Sequence, residues 1–158
     1  MSKQNLQTLL QRIGQTVGIP DLALDGDDYC QVRIDGTLDI SIEFIEDGEL
    51  AIFSARCGPL GDHNRERQLQ QIADANYHWI GGGGGTLSTN SRDGMVYLQY
   101  RESTAQMDQT RLENLLQALA MNAERWGARL AEIAAAPAAD TQASSATAVP
   151  GGMLTNRA

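Results

Sequence analysis

Leu6, Leu9, Leu10, Ile13 and Val17 recur at intervals of three and four, which places them on one stripe of an amphipathic helix. Gly18-Ile19-Pro20 stops that pattern, because glycine favours a helix end and proline cannot continue one. From Cys30 the period changes to two. Cys30, Val32 and Ile34 alternate with Gln31, Arg33 and Asp35, and Leu38, Ile40, Ile42 and Phe44 alternate with Asp39, Ser41 and Glu43, as in two half-buried strands. Asp35-Gly36 and Asp47-Gly48 supply the positive-φ positions of tight hairpins, so Leu50 to Cys57 reads as the third strand of an antiparallel meander that Gly58-Pro59 ends.

A second helix is predicted from Asp62 to Ile80, with Leu69, Ile72, Ala73, Asn76, Trp79 and Ile80 along one stripe. The glycines Gly81 to Gly85 break it and read as a flexible connector. Thr86 to Asn90 and Met95 to Tyr100 then form a second hairpin about Arg92-Asp93-Gly94. Asp108 stands in a cap position before Leu112, Leu115, Leu116, Leu119, Ala123, Trp126, Leu130 and Ile133, the longest helical pattern in the chain. The expected order is α-β-β-β-α-β-β-α: an α+β fold whose antiparallel sheet carries its helices on one side. Residues 1–134 make the domain. Residues 135–158, rich in Ala, Ser, Thr, Pro and Gly, lack the apolar area to offset their ordering entropy and are expected to be a disordered tail.

Composition narrows the function more by exclusion than by assertion. Twenty acidic against twelve basic residues give a net charge of -8, which repels phosphate backbones and anionic lipid, so neither nucleic acid nor a membrane surface is an expected partner. No apolar run approaches the roughly 20 residues that span a bilayer, and the amphipathic N-terminus does not have the layout of a signal peptide; a cytoplasmic location is expected. Cys30, Cys57, His63 and His78 match no zinc-ligand spacing, and both cysteines read as reduced, buried thiols. Lys3, the only lysine, lies at the N-terminus, away from any Schiff-base or phosphate-binding context. The glycine run follows a helix and enters a strand, the reverse of a phosphate-binding loop. Asp25, Asp27 and Asp28 read as solvated turn charges. Neither enzymatic activity, nor a metal, nor a cofactor is expected.

What stands out is apolar material beyond one small core. Phe53 and Ala55 are out of phase with Ile52, Ile45 is out of phase with Phe44, and Trp79, Ile80 and Leu87 bracket the glycine loop. A partner surface accounts for this, as does a core with helices over both sheet faces. Periodicity leaves both open.

The stretches LALDGDDYCQVRIDGTLDISIEFIEDGELAIFSARCGPL and LQQIADANYHWIGGGGGTLSTNSRDGMVYLQYRES, with the Leu-rich helix containing Trp126, resemble the class I type III secretion chaperones, the Tir chaperone family. Residues 3 to 134 share that layout: the acidic turn Asp25 to Asp28, Gly58-Pro59 closing strand three, Ala75-Asn76 late in helix two, a glycine link and the Asp93-Gly94 turn. The resemblance implies a homodimer, with Tyr77, Trp79, Ile80 and Leu87 at its interface. It further implies hydrophobic grooves, assigned to Leu9, Ile13, Val32, Ile34, Ile42 and Phe53, around which the N-terminal segment of a secreted effector winds in extended form, partly by adding a strand to the sheet edge. The long glycine run and the tail depart from the shared layout, and adaptation to several effectors or to a secretion ATPase is the role such additions would have. The rival expectation is a regulatory interaction module of a secretion system with the same dimeric fold. A small-molecule enzyme is the weaker alternative, given so few His, Lys and reactive Cys.

Overall fold

The computed structural model describes residues 2–34 and 36–137; the predicted tail beyond residue 137 lies outside the described residues. Helix α1 spans Ser2–Val17 and buries Leu6, Leu9, Leu10 and Ile13 of the stripe read from the sequence, while Val17 at its end stays exposed. Its end is compact: Gly18 takes φ 79°, and the Ile19 N–H donates to the Gly14 carbonyl at 2.7 Å. A Cβ on Gly14 would sit 2.2 Å from the Ile19 carbonyl oxygen, so the return of the chain over α1 depends on that glycine.

Strands β1 (Tyr29–Ile34), β2 (Leu38–Ile45) and β3 (Leu50–Pro59) form the meander, followed by α2 (Arg65–Asn76), a single 3-10 turn at Tyr77–Trp79, β4 (Thr86–Asn90), β5 (Met95–Ser103) and α3 (Gln109–Ala135). All neighbours are antiparallel, in the order β1-β2-β3-β5-β4, so β1 and β4 are the two edges. The α+β architecture expected from the sequence is the one observed. The third strand runs past Cys57 to Pro59 because a bulge between Arg56 and Gly58 lets the ladder with β5 continue.

One sheet face carries the core. Ile40, Ile42, Ala51, Phe53, Ala55, Val96 and Leu98 point under α1 and α3, where they meet Leu10, Leu112, Leu119, Ala123 and Trp126. Phe53 and Ala55 are therefore in phase with the core, and Ile52 is the residue on the other face. The opposite face is polar: Arg33 donates to Asp39 at 2.5 Å, and the Gln99 amide donates to the Ser54 hydroxyl at 3.1 Å. Asp108 caps α3, its carboxylate accepting from the Arg111 N–H at 2.7 Å. At the other end of α3, Asn64 donates to the Ile133 and Ala136 carbonyls and satisfies orphan acceptors there.

The second helix is shorter than its stripe. It stops at Asn76, and His78 and Trp79 both adopt the left-handed region, with φ 54° and 55°. Bulky residues rarely hold that conformation unless their surroundings impose it. The glycine run that follows, expected as a flexible connector, is tied to this turn and to distant elements: the Gly84 N–H donates to the Trp79 carbonyl at 3.0 Å. The Gly81 carbonyl accepts from the Trp126 indole N–H at 2.9 Å, and the Gly82 carbonyl accepts from the Tyr100 hydroxyl at 3.0 Å. A Cβ on Gly81 would lie 2.4 Å from the Ala75 Cβ, on Gly83 2.6 Å from Asn122 Nδ2, and on Gly85 2.2 Å from the Tyr100 ring. Gly84 has room but takes φ 94°.

Candidate functional site

The C-terminal half of α1, the edge strand β1 and the first half of α3 enclose a groove of about 440 Å³. Its wall on the sheet side is Val32 and Ile34, half-buried at the inward positions of β1. Ile13 and Val17 line the α1 side and Leu116 and Ala120 the α3 side, with Ile19 and Leu22 from the connecting loop between them. Val17 is 59% exposed although it belongs to the apolar stripe of its helix. Arg33 and Glu113 supply charges of opposite sign at the margin.

Backbone groups complete the site. The Phe44 N–H donates to the Asp28 carbonyl at 2.9 Å, and the same register pairs Tyr29 with Glu43 and Cys30 with Ile42. Antiparallel pairing alternates, so Cys30, Val32 and Ile34 bond to β2 while Tyr29, Gln31 and Arg33 turn their N–H and C=O outward. Tyr29 is satisfied by Asp25, whose N–H donates to the Tyr29 carbonyl at 2.8 Å and whose carboxylate accepts from the Tyr29 N–H at 3.0 Å. Among the described residues no chain segment covers Gln31 and Arg33 on that edge. An edge strand with such groups beside an apolar groove is a template for an added strand.

Of the predicted groove residues, Ile13, Val32 and Ile34 come together here. Ile42 and Phe53 do not: both are 0% exposed and belong to the core under α3, because each takes an inward position on a central strand. Leu9 is also in the core, on the sheet-facing side of α1. Val17, Ile19, Leu22, Leu116 and Ala120 were missing from the expected set. For Leu116 the sequence held a signal, since Leu115-Leu116 widens the stripe of α3 by one position beyond what a single buried seam uses.

A second apolar surface lies at the opposite end of the sheet. Tyr77, Trp79 and Ile80 are exposed, Trp79 by 58% and Ile80 by 77%, on the turn that leads into the glycine loop. Tyr77 and Ile80 themselves line a depression of about 490 Å³, together with Ala75, Gly81, Trp126 and Arg129. Leu87, expected at the same surface, is buried in the core instead, because β4 turns it inward. The edge of β4 is occupied. The Asn76 amide donates to the Leu87 carbonyl at 2.9 Å and accepts from the Leu87 N–H at 2.8 Å.

Neither surface carries reactive groups. Burial pushes the Cys57 thiol up to about 12 and raises that of Cys30, which keeps both protonated and poor as nucleophiles. His63 and His78 are exposed and far apart in the chain, and no group of acidic, His and Cys side chains among the described residues is arranged to hold a metal ion. No helix among the described residues is long and apolar enough to cross a membrane.

The profile of the Tir chaperone protein (CesT) family matches residues 8–127. No curated protein sequence matches the chain at a significant level. Among solved structures, the fold is similar to a chain of the ExsC-ExsE complex with a TM-score of 0.73 at 21% identity, covering 81% of this chain and 95% of that one. A chain of the HopA1-SchA chaperone-effector complex gives 0.66 at 16% identity, covering 81% and 97%. A chain of the complex of the Yersinia pestis type III secretion chaperone SycH with a stable fragment of YscM2 gives 0.59 at 19% identity, covering 74% and 95%.

Proposed function

The chain belongs to the Tir chaperone protein (CesT) family, a family of type III secretion chaperones and not of enzymes, and from that premise we propose that it holds the N-terminal chaperone-binding segment of one or more secreted effectors in extended form. The observation that carries this reading is the apolar groove lying directly beneath an edge strand whose Gln31 and Arg33 backbone groups face outward. A segment bound there forms hydrogen bonds to β1 and drops every second side chain into the groove, each aliphatic one worth about 1.5–3 kcal/mol on full burial. It needs no core of its own. Such a segment stays unfolded, soluble and fit for passage through an export channel.

The working unit in this reading is a cytoplasmic homodimer joined through Tyr77, Trp79 and Ile80. Exposed aromatic and aliphatic side chains on one turn, of which Tyr77 and Ile80 line an open depression, suit an isologous contact in which the same patch meets its copy across a two-fold axis. The chain acts by binding rather than by catalysis. That a chain of the HopA1-SchA chaperone-effector complex has a similar fold supports this reading.

The test is co-expression with N-terminal fragments, on the order of 100 residues, of secreted proteins encoded beside this chain, followed by light-scattering mass determination. Two copies of the chain with one otherwise insoluble fragment is the expected result. A monomer that solubilises none of them contradicts it, and a fragment that is stable and soluble on its own would instead mark a regulator as the partner.

A further inference from the structure

The two sheet edges are each closed at one point by a single residue that imitates a strand, Asn76 through its side chain and Asp25 through its backbone N–H and its carboxylate. At β4 the Asn76 amide bonds both backbone groups of Leu87, at 2.9 and 2.8 Å, as a paired residue of a neighbouring strand would. At β1 Asp25 bonds both groups of Tyr29, one through its own N–H and one through its carboxylate. The same carboxylate accepts from the Asp27 N–H at 2.9 Å, which fixes it in place. Asp28 forms an ion pair with Lys3, and the Gln7 side chain accepts from the Leu24 N–H, so the loop that carries Asp25 is tied to α1. These acidic residues are parts of a built turn and not merely solvated charge.

We infer that Asp25 and Asn76 are edge stops that confine strand addition to Gln31–Ile34 of β1 and set the register of the incoming segment. The inference rests on the proposed strand addition and adds what determines its place. With Leu87 occupied, β4 offers an outward pair only at Thr89, too little for a ladder. With Tyr29 occupied, an added strand on β1 begins opposite Gln31. Its side chains on the inner face then fall beside Val32 and Ile34, and those on the outer face meet Gln31 and Arg33. The occupant this geometry fits is an extended peptide whose apolar residues alternate with polar ones, entered in a single register. A slip of one residue would reverse its faces.

Amide exchange followed by NMR on the full chain tests this, with an N-terminal fragment of a secreted protein that co-purifies with it as the probe. In the free chain, Tyr29 and Leu87 amides exchange slowly and Gln31 and Arg33 fast. Asp25→Ala is expected to speed Tyr29 exchange about tenfold, the loss of one hydrogen bond, and Asn76→Ala to do the same at Leu87. Asp25→Asn, which keeps an acceptor oxygen, should leave Tyr29 slow. On adding the fragment, Gln31 and Arg33 become protected in the wild type, and in Asp25→Ala the freed Tyr29 N–H regains protection as well, although its carbonyl keeps the backbone N–H of position 25. Unchanged exchange at Tyr29 and Leu87 in the alanine variants overturns the edge stops even if Gln31 and Arg33 are protected. A bound fragment that leaves Gln31 and Arg33 fast overturns strand addition itself, and the stops with it.

Discussion

At the β1 end the sheet stops beside a concave aliphatic groove and leaves Gln31 and Arg33 with outward backbone groups. At the β4 end Asn76 occupies the edge, and the apolar side chains stand on an exposed turn ahead of the glycine loop. Both ends expose hydrophobic area, yet they suit different partners. The first fits a chain that arrives without structure and needs its backbone satisfied; the second fits a surface that is already folded, such as a second copy of the same turn. Hydrophobic exposure alone does not separate the two cases, and edge hydrogen bonding does.

The largest expected effect separates core from groove. Phe53→Ala should cost about 4 kcal/mol of stability, because the ring is wholly enclosed and its removal leaves a cavity. Ile34→Ala, at the half-buried groove wall, should cost about 1 kcal/mol or less in urea unfolding while weakening capture of an effector fragment. Equal losses of stability in the two variants would erase the distinction.

Next in size is the glycine loop. Gly81→Ala must force apart the backbone and Cβ of Ala75 and should cost about 3 kcal/mol, against about 1 kcal/mol for Gly84→Ala, where only the positive φ is at stake. A flexible connector would tolerate both equally, and comparing the two denaturation midpoints decides. Smaller again is Ile80→Asp, which should weaken association of the proposed dimer by about 2 kcal/mol while leaving the groove intact. Light scattering over a dilution series reads it as a mass falling to that of one chain at concentrations where the wild type stays paired.

The smallest effect concerns the polar sheet face. The hydrogen bond from Arg33 holds the Asp39 carboxyl below its ordinary value. A carboxyl depressed on folding stabilises the native state above its unfolded pKa of about 3.9 and loses that contribution as pH falls through the lower folded value. The stability gap between wild type and Asp39→Asn should therefore narrow on acidification below that point, and a gap independent of pH would show that the pair contributes nothing.

The alternation in Leu38 to Phe44 and the stripes of α1 and α3 made the element order legible, because burial on one face imposes a period that any reader of the chain can count. The groove was half legible. Val32 and Ile34 lie on an edge strand and Ile42 and Phe53 on central ones, but all four have the same apolar alternation, and only the strand order distinguishes them. Leu87 was misplaced for a similar reason. The left-handed turn at His78 and Trp79 has no periodic signature at all, and the loop after it is held by Tyr100 and Trp126 from distant elements; a glycine run looks the same in sequence whether it is loose or tightly enclosed.

The most direct test of the account is a binding comparison between two variants using one co-purifying effector fragment. Ile34→Asp with Leu116→Asp places charge in the groove, and Ile80→Asp places it on the exposed turn. Titration of each against the fragment, with far-UV circular dichroism to confirm the fold, should show binding at least about 100-fold weaker for the groove variant, the cost of leaving buried charge unpaired. The turn variant should keep the affinity of each groove. A groove variant that binds as tightly as the wild type, or a turn variant that alone loses the fragment, would contradict the assignment of the effector site to the β1 edge.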